Sequence, residues 1–159
     1  METDFKRAWD AYFVPRKPTL SEEQANAYEK FALCNRKRAQ KFIELVQTHL
    51  RLNLIGKRVL DIGSAYGGFV ICAGRMGAEA YGIEISEDLH KLAEANALNE
   101  PGYIKLINAD VLDKSVLEFT GSRPFDLIII NDVFEHIYDS TALFKRISEF
   151  SGCYIFCDS

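Results

Sequence analysis

From Gly56 to the end of the chain, short apolar runs alternate with longer segments of helical period. This alternation restricts the fold more than any other feature of the sequence. Residues 58–62, 80–85, 103–108, 125–131 and 153–157 read as strands, with helices over about 67–76, 86–98 and 140–150 between them. The run 127–130, with isoleucine at 128, 129 and 130, suits the most buried strand. Strands separated by amphipathic helices of ~10–15 residues join through right-handed crossovers and form a parallel sheet with helices on both faces. The expected fold class is therefore α/β, a doubly wound parallel sheet over residues 56–159.

Residues 1–55 carry a different pattern and are expected to form an N-terminal aromatic arm and helical cap. Phe5, Trp9, Tyr12 and Phe13 precede Pro15-Arg16-Lys17-Pro18, which reads as a stiff break. Ser21 is placed to cap a helix start, with Gln24 bonding back to it. Phe42, Leu45, Val46, His49 and Leu50 then form a helical stripe, so helix is expected over about 21–52, in one piece or two. The arm's aromatics either fold over a ligand as a lid or pack against the cap.

With 48% hydrophobic and 26% charged residues, the chain can bury a core, which excludes a disordered tail. The balance of 19 basic against 23 acidic residues gives −4 and no hint of bulk phosphate binding. No apolar run approaches the ~18 residues of a membrane span. Met1-Glu2-Thr3-Asp4 lacks the basic start of a secretory signal, so a cytoplasmic setting is expected, with Cys34, Cys72, Cys153 and Cys157 as free thiols.

In doubly wound sheets, ligands bind beyond the carboxyl ends of the strands, where strand order reverses. After the first strand stands Asp61-Ile62-Gly63-Ser64-Ala65-Tyr66-Gly67-Gly68, whose small residues let the chain turn tightly and let a ligand approach the backbone. Glu84 follows the second strand, placed to accept hydrogen bonds from both ribose hydroxyls. Asn108-Ala109-Asp110-Val111 follows the third, and Asn131-Asp132-Val133-Phe134-Glu135-His136 the fourth. The Gly-rich turn also fits a loosened dinucleotide pattern. Asp61 works against a bound pyrophosphate and suits a ligand with a positive group, an ammonium or a sulfonium. Carboxylates at 84 and 110 suggest a bracketed nucleoside, so a cationic nucleoside is favoured over a nicotinamide dinucleotide.

Val59-Leu60-Asp61-Ile62-Gly63-Ser64-Ala65-Tyr66-Gly67 resembles the first motif of class I S-adenosylmethionine-dependent methyltransferases. The run from Phe125 to Ile137 resembles the fourth-strand signature of that family's small-molecule branch. The resemblance covers about 59–157 and implies a Rossmann-like core with S-adenosylmethionine (SAM) as cofactor. It implies methyl transfer to a small-molecule acceptor by in-line displacement, in which the protein positions and desolvates the reactants. By that resemblance Asp61 contacts the methionine end or orders the turn, while Gly63, Ala65 and Gly67 allow close backbone approach. Glu84 grips the ribose, and Asp110 with Val111 holds the adenine. Tyr66 or Phe134 walls the cofactor. Ser64, Ile85, Asn131 and Asp132 complete the cofactor-binding set.

Ala65 replaces the motif's second glycine, which is tolerable at negative φ. The family's sheet normally has seven strands and this chain stops in its fifth, as a fragment or a reduced relative would. Its exposed fifth-strand edge is then expected to support self-association. A non-catalytic SAM-binding module is the alternative reading.

His136 is the candidate general base, since its ordinary pKa lies near ~6.5; the plainer reading is that it orders its loop. Asp61 and Asp110 likewise have loop capping as their plainer role. Glu135 with His136 lacks a third metal ligand, so no metal is expected. His49 and His90 read as surface or interface residues. Arg36-Lys37-Arg38 with Lys41 reads as a solvated helix face, and a nucleic-acid partner is disfavoured.

Overall fold

The computed structural model describes residues 9–158, with side chains described at 9–30 and 35–150. Phe5 and the side chains of Cys34, Cys153 and Cys157 lie outside the described residues. Five strands form one sheet: β1 (Arg58–Ile62), β2 (Glu79–Glu84), β3 (Tyr103–Asn108), β4 (Phe125–Asn131) and β5 (Ser151–Asp158). Their order is β3-β2-β1-β4-β5 and every neighbouring pair is parallel. The chain builds outward from β1 in one direction and returns to its other side with β4. That reversal puts the ligand crevice at the carboxyl ends of β1 and β4.

The side chains of β4 alternate between two cores. Leu127 and Ile129 join Val59 and Ala80 beneath Ala39, Ile43 and Val46 of α1 (Glu22–Leu50) and Val70 and Ala73 of α2 (Gly68–Arg75). Ile128 and Ile130 face the other way, with Leu60 and Ile62, toward Val116 of α4 (Lys114–Thr120) and Leu143 and Ile147 of α5 (Ser140–Phe150). The period-2 pleat thus divides one apolar strand between two helical layers. α3 (Glu87–Ala97) follows β2 and brings Leu92 into a third cluster, with Trp9, Phe13, Ala25 and Tyr66.

The cap helix α1 is a single 29-residue helix. Ser21 N–H donates to Gln24 Oε1 at 2.9 Å and Gln24 N–H donates to Ser21 Oγ at 3.1 Å, the reciprocal cap expected. Its buried stripe differs from the expected one. Ala39, Ile43 and Val46 face the core, whereas Leu45, His49 and Leu50 are exposed. Upstream, Asn35 packs on Gly68 at the start of α2, where an added Cβ would lie 1.9 Å from its Oδ1. Pro15–Pro18 is more ordered than a break, since Lys17–Thr19 forms a 3-10 turn. α4 is an addition to the expected elements, too short for its period to register.

Among the described residues, the arm's aromatics pack against the core rather than over the cavity. Trp9 stacks on Phe13 at 5.0 Å and meets the Tyr66 ring edge-on at 5.9 Å, so both brace the Gly-rich turn from behind. At the opposite end of the sheet Arg58 is 3% exposed. Its guanidinium donates to the carbonyls of Thr120 and Arg123 and lies 4.3 Å from the centre of the Phe125 ring.

Candidate active site

The carboxyl ends of the strands and one face of α1 enclose a cavity of about 1010 Å³. Asp61, Gly63, Ser64, Ala65 and Tyr66 line it from the turn after β1, Glu84 and Ile85 after β2, and Asp110 and Val111 after β3. Asn131, Asp132 and His136 line it after β4. Two of the expected residues stand off the lining. Gly67 caps α2 and backs onto Ala93, and Phe134 turns into the second core, its ring 5.5 Å from that of Phe144. The 3-10 turn Phe134–His136 explains the latter, because residues three apart share a face. Val133 and His136 look into the cavity and Phe134 looks away.

The turn is held tightly. Gly63 and Ser64 N–H both donate to the Ile83 carbonyl, at 2.9 and 3.0 Å. A Cβ at Gly63, whose φ is +76°, would stand 2.4 Å from Val133 Cγ2, so no side chain fits between the two strand ends. Ala65 adopts φ +43°. The substituted position is therefore left-handed, and the expectation of negative φ is corrected. The reason is local: Ala65 N–H must point at Glu84, whose Oε2 accepts it at 2.8 Å. Glu84 Oε1 accepts Ser86 N–H at 2.8 Å. Glu84 thus ties the first turn to the second strand while lining the cavity, and each of its oxygens keeps capacity to accept a further hydrogen bond.

Asp61 is 1% exposed and its Oδ2 has no hydrogen-bond partner. Burial, and then the nearby Glu84 charge, pushes its carboxyl well above the usual carboxylate range. Ser64 Oγ and Asn35 Oδ1 are likewise buried without partners beside the same cavity. Asp110 Oδ1 accepts Leu112 N–H at 2.9 Å, so a capping role coexists with its place on the wall. Tyr66 stays a neutral phenol, its pKa pushed up to about 12 by burial. Among the described residues, no group of three or more His, Cys, Asp or Glu could hold a metal ion.

Sequence reasoning did not name the residues through which the cap helix α1 contributes to the pocket. Gln24, Tyr28, Asn35 and Arg38 line the cavity from one helical face. Their spacing of four, seven and three residues was the available signal. Arg38 reaches Asp132 Oδ2 at 3.1 Å across the cavity rim, and Arg36 pairs with Glu100 at 3.0 Å. The basic run is therefore only half a solvated face, since two of its arginines dock the cap on the core.

A parallel sheet with a pinned Gly-rich turn, a carboxylate at or just beyond the carboxyl end of each of its first three strands and buried acceptors without partners forms one continuous candidate site. Residues 34–156 match the family model described as a methyltransferase domain, and the chain belongs to that family. Among curated proteins it is similar to the ubiquinone biosynthesis O-methyltransferase of Xanthomonas euvesicatoria pv. vesicatoria (strain 85-10). The two are 32% identical over 105 residues, which is 65% of this chain and 41% of that protein. The corresponding enzyme of Xanthomonas oryzae pv. oryzae (strain PXO99A) is 31% identical over 103 residues, 65% of this chain and 42% of that protein. The chain thus spans about two fifths of the length of these relatives. In fold it is similar to magnesium protoporphyrin IX methyltransferase from Synechocystis PCC 6803 solved with S-adenosylhomocysteine (SAH). The TM-score is 0.64 at 18% identity, over 94% of this chain and 64% of that one.

Proposed function

We propose that the chain is the cofactor-binding part of a SAM-dependent methyltransferase acting on a small-molecule acceptor. The observation that carries the reading is the buried Asp61 carboxyl, whose Oδ2 has no hydrogen-bond partner, beside Glu84 at a turn shaped for close backbone approach. A buried carboxyl oxygen without a donor suits a cationic ligand group, and the family membership supports the same ligand.

SAM supplies an electrophilic methyl group already activated on sulfur. In this reading Asp61 meets the ammonium of its amino-acid end, Glu84 accepts from the ribose hydroxyls and Asp110 with Val111 holds the adenine. Tyr66 walls the cavity as a neutral ring, and the apolar Ile62 and Phe69 exclude water. His136, on the cavity wall at the end of β4, takes the proton that an acceptor must lose. Arg36 and Arg38 are committed to Glu100 and Asp132, which favours a small acceptor over nucleic acid. A cytoplasmic setting belongs to the same proposal, as does pairing of two copies along the β5 edge. The alternative is a binding module without turnover.

Calorimetric titration with SAH tests the cofactor reading. Micromolar binding by the native chain is expected, with a ~10–150-fold loss in Glu84→Ala, which removes charge-assisted bonds worth ~1.5–3 kcal/mol. An unchanged affinity in Glu84→Ala would move the ligand away from this turn.

A further inference from the structure

Seven buried side-chain polar atoms among the described residues have no hydrogen-bond partner. Arg58, Glu100 and Arg146 among them belong to ion pairs, and His90 lies 3.5 Å from Glu94. The other three are Asn35 Oδ1, Asp61 Oδ2 and Ser64 Oγ, and all three residues line the cavity at the carboxyl ends of the strands. They are 7%, 1% and 4% exposed, so water does not satisfy them from outside.

Three separate elements bring these residues to the wall of the same cavity. Asp61 stands on β1 and Ser64 in the turn that follows. Asn35 arrives from α1 and presses on the first residue of α2, since a Cβ on Gly68 would lie 1.9 Å from its Oδ1. The Asn35 carbonyl and the Asp61 carboxylate only accept, and the Ser64 hydroxyl does so equally well. Three buried acceptors on the wall of one cavity match a group with three N–H donors, and an ammonium is that group.

We propose that Asn35, contributed by the cap helix, is a specificity-determining residue that completes an ammonium cup with Asp61 and Ser64. It thereby makes the site selective for nucleosides that keep the α-amino group. This inference rests on the cofactor reading above and adds to it a residue outside the Gly-rich core. It also gives the cap a defined role, because the cup exists only while α1 is docked.

The test is calorimetry with two ligands, SAH and its des-amino analogue, on the native chain, Asn35→Ala and Asn35→Leu. Leu fills the space that Ala opens but offers no acceptor. The native chain should prefer SAH by at least tenfold. Either variant should lose at least tenfold toward SAH while holding the des-amino analogue within about twofold of native, so that the preference collapses. A parallel loss for both ligands would make Asn35 a packing residue and overturn the proposal, as would an unchanged preference. A native chain that binds SAH and the des-amino analogue equally would overturn the cup while leaving the cofactor reading intact. A native chain that binds neither would bring down both.

Discussion

Asp61 and Ala65 each hold an unfavourable state in the fold, for different reasons. Asp61 carries a carboxyl whose pKa in the folded protein is above its unfolded value, raised by burial and then by Glu84. Such a group binds a proton more tightly when folded, so it detracts from stability as pH climbs above the unfolded carboxylate range. The deficit is complete once pH passes the folded value. Asp61→Asn should therefore gain stability relative to the native chain between pH 4 and pH 7, read from urea midpoints, while its affinity for SAH falls at least tenfold. A variant less stable than native at pH 7 would contradict the burial argument. Ala65 sits at φ +43°, where a Cβ is disfavoured by ~1–2 kcal/mol. Ala65→Gly should relieve this strain at the expense of unfolded-state entropy, with a net gain of about 0.5–1 kcal/mol in thermal unfolding. Gly63→Ala should do the reverse, losing about 1–3 kcal/mol, because its Cβ meets Val133 Cγ2 at 2.4 Å.

Elements set by local signals were legible in the sequence, and those set by tertiary contact were not. β3, β4 and α5 have the expected limits, since turn residues and hydrophobic period agree there. The same holds for the Ser21 cap, where Ser21→Ala should remove ~1 kcal/mol of stability in denaturant unfolding. The stripe of α1 was misplaced because Leu45, Leu50 and Ile43 are equally apolar by name, and only the packing of the helix on the sheet and α2 decides which turn inward. The same reason hid the α1 face of the cavity. Its residues are unremarkable until β1 and β4 stand beneath them. Phe134 failed as a cavity wall because one 3-10 turn reverses its direction, and nothing in the sequence around it announces that turn. Most of the strand-end residues were legible because topology alone places them, whatever the details of packing.

At the scale of the whole molecule, ion pairs and aromatic packing hold the cap on the core. Arg36 bridges to Glu100, whose side chain is fully buried and also meets Arg75 at 2.5 Å. Arg36 also donates to Asn96, whose Nδ2 donates to the Tyr66 carbonyl at 2.9 Å. Docking of α1 and the shape of the Gly-rich turn are therefore mechanically linked. Removing Arg36 should raise amide exchange in α1 and the turn together, by hydrogen-exchange mass spectrometry, with β4 left protected. The β5 edge belongs to the same scale. If it pairs with a second copy, size-exclusion chromatography should show a concentration-dependent dimer, and a monomer at every concentration would argue against that pairing.

The measurement that bears most directly on the central claim is a crystal structure of the chain grown with saturating SAH. The account predicts ligand density along the carboxyl ends of β1, β2 and β3. The amino group should lie within hydrogen-bond distance of Asp61, the ribose hydroxyls at Glu84 and the adenine beside Asp110 and Val111. Clear density for SAH elsewhere on the chain, or an undisturbed Gly-rich turn with no ligand at saturation, would contradict it.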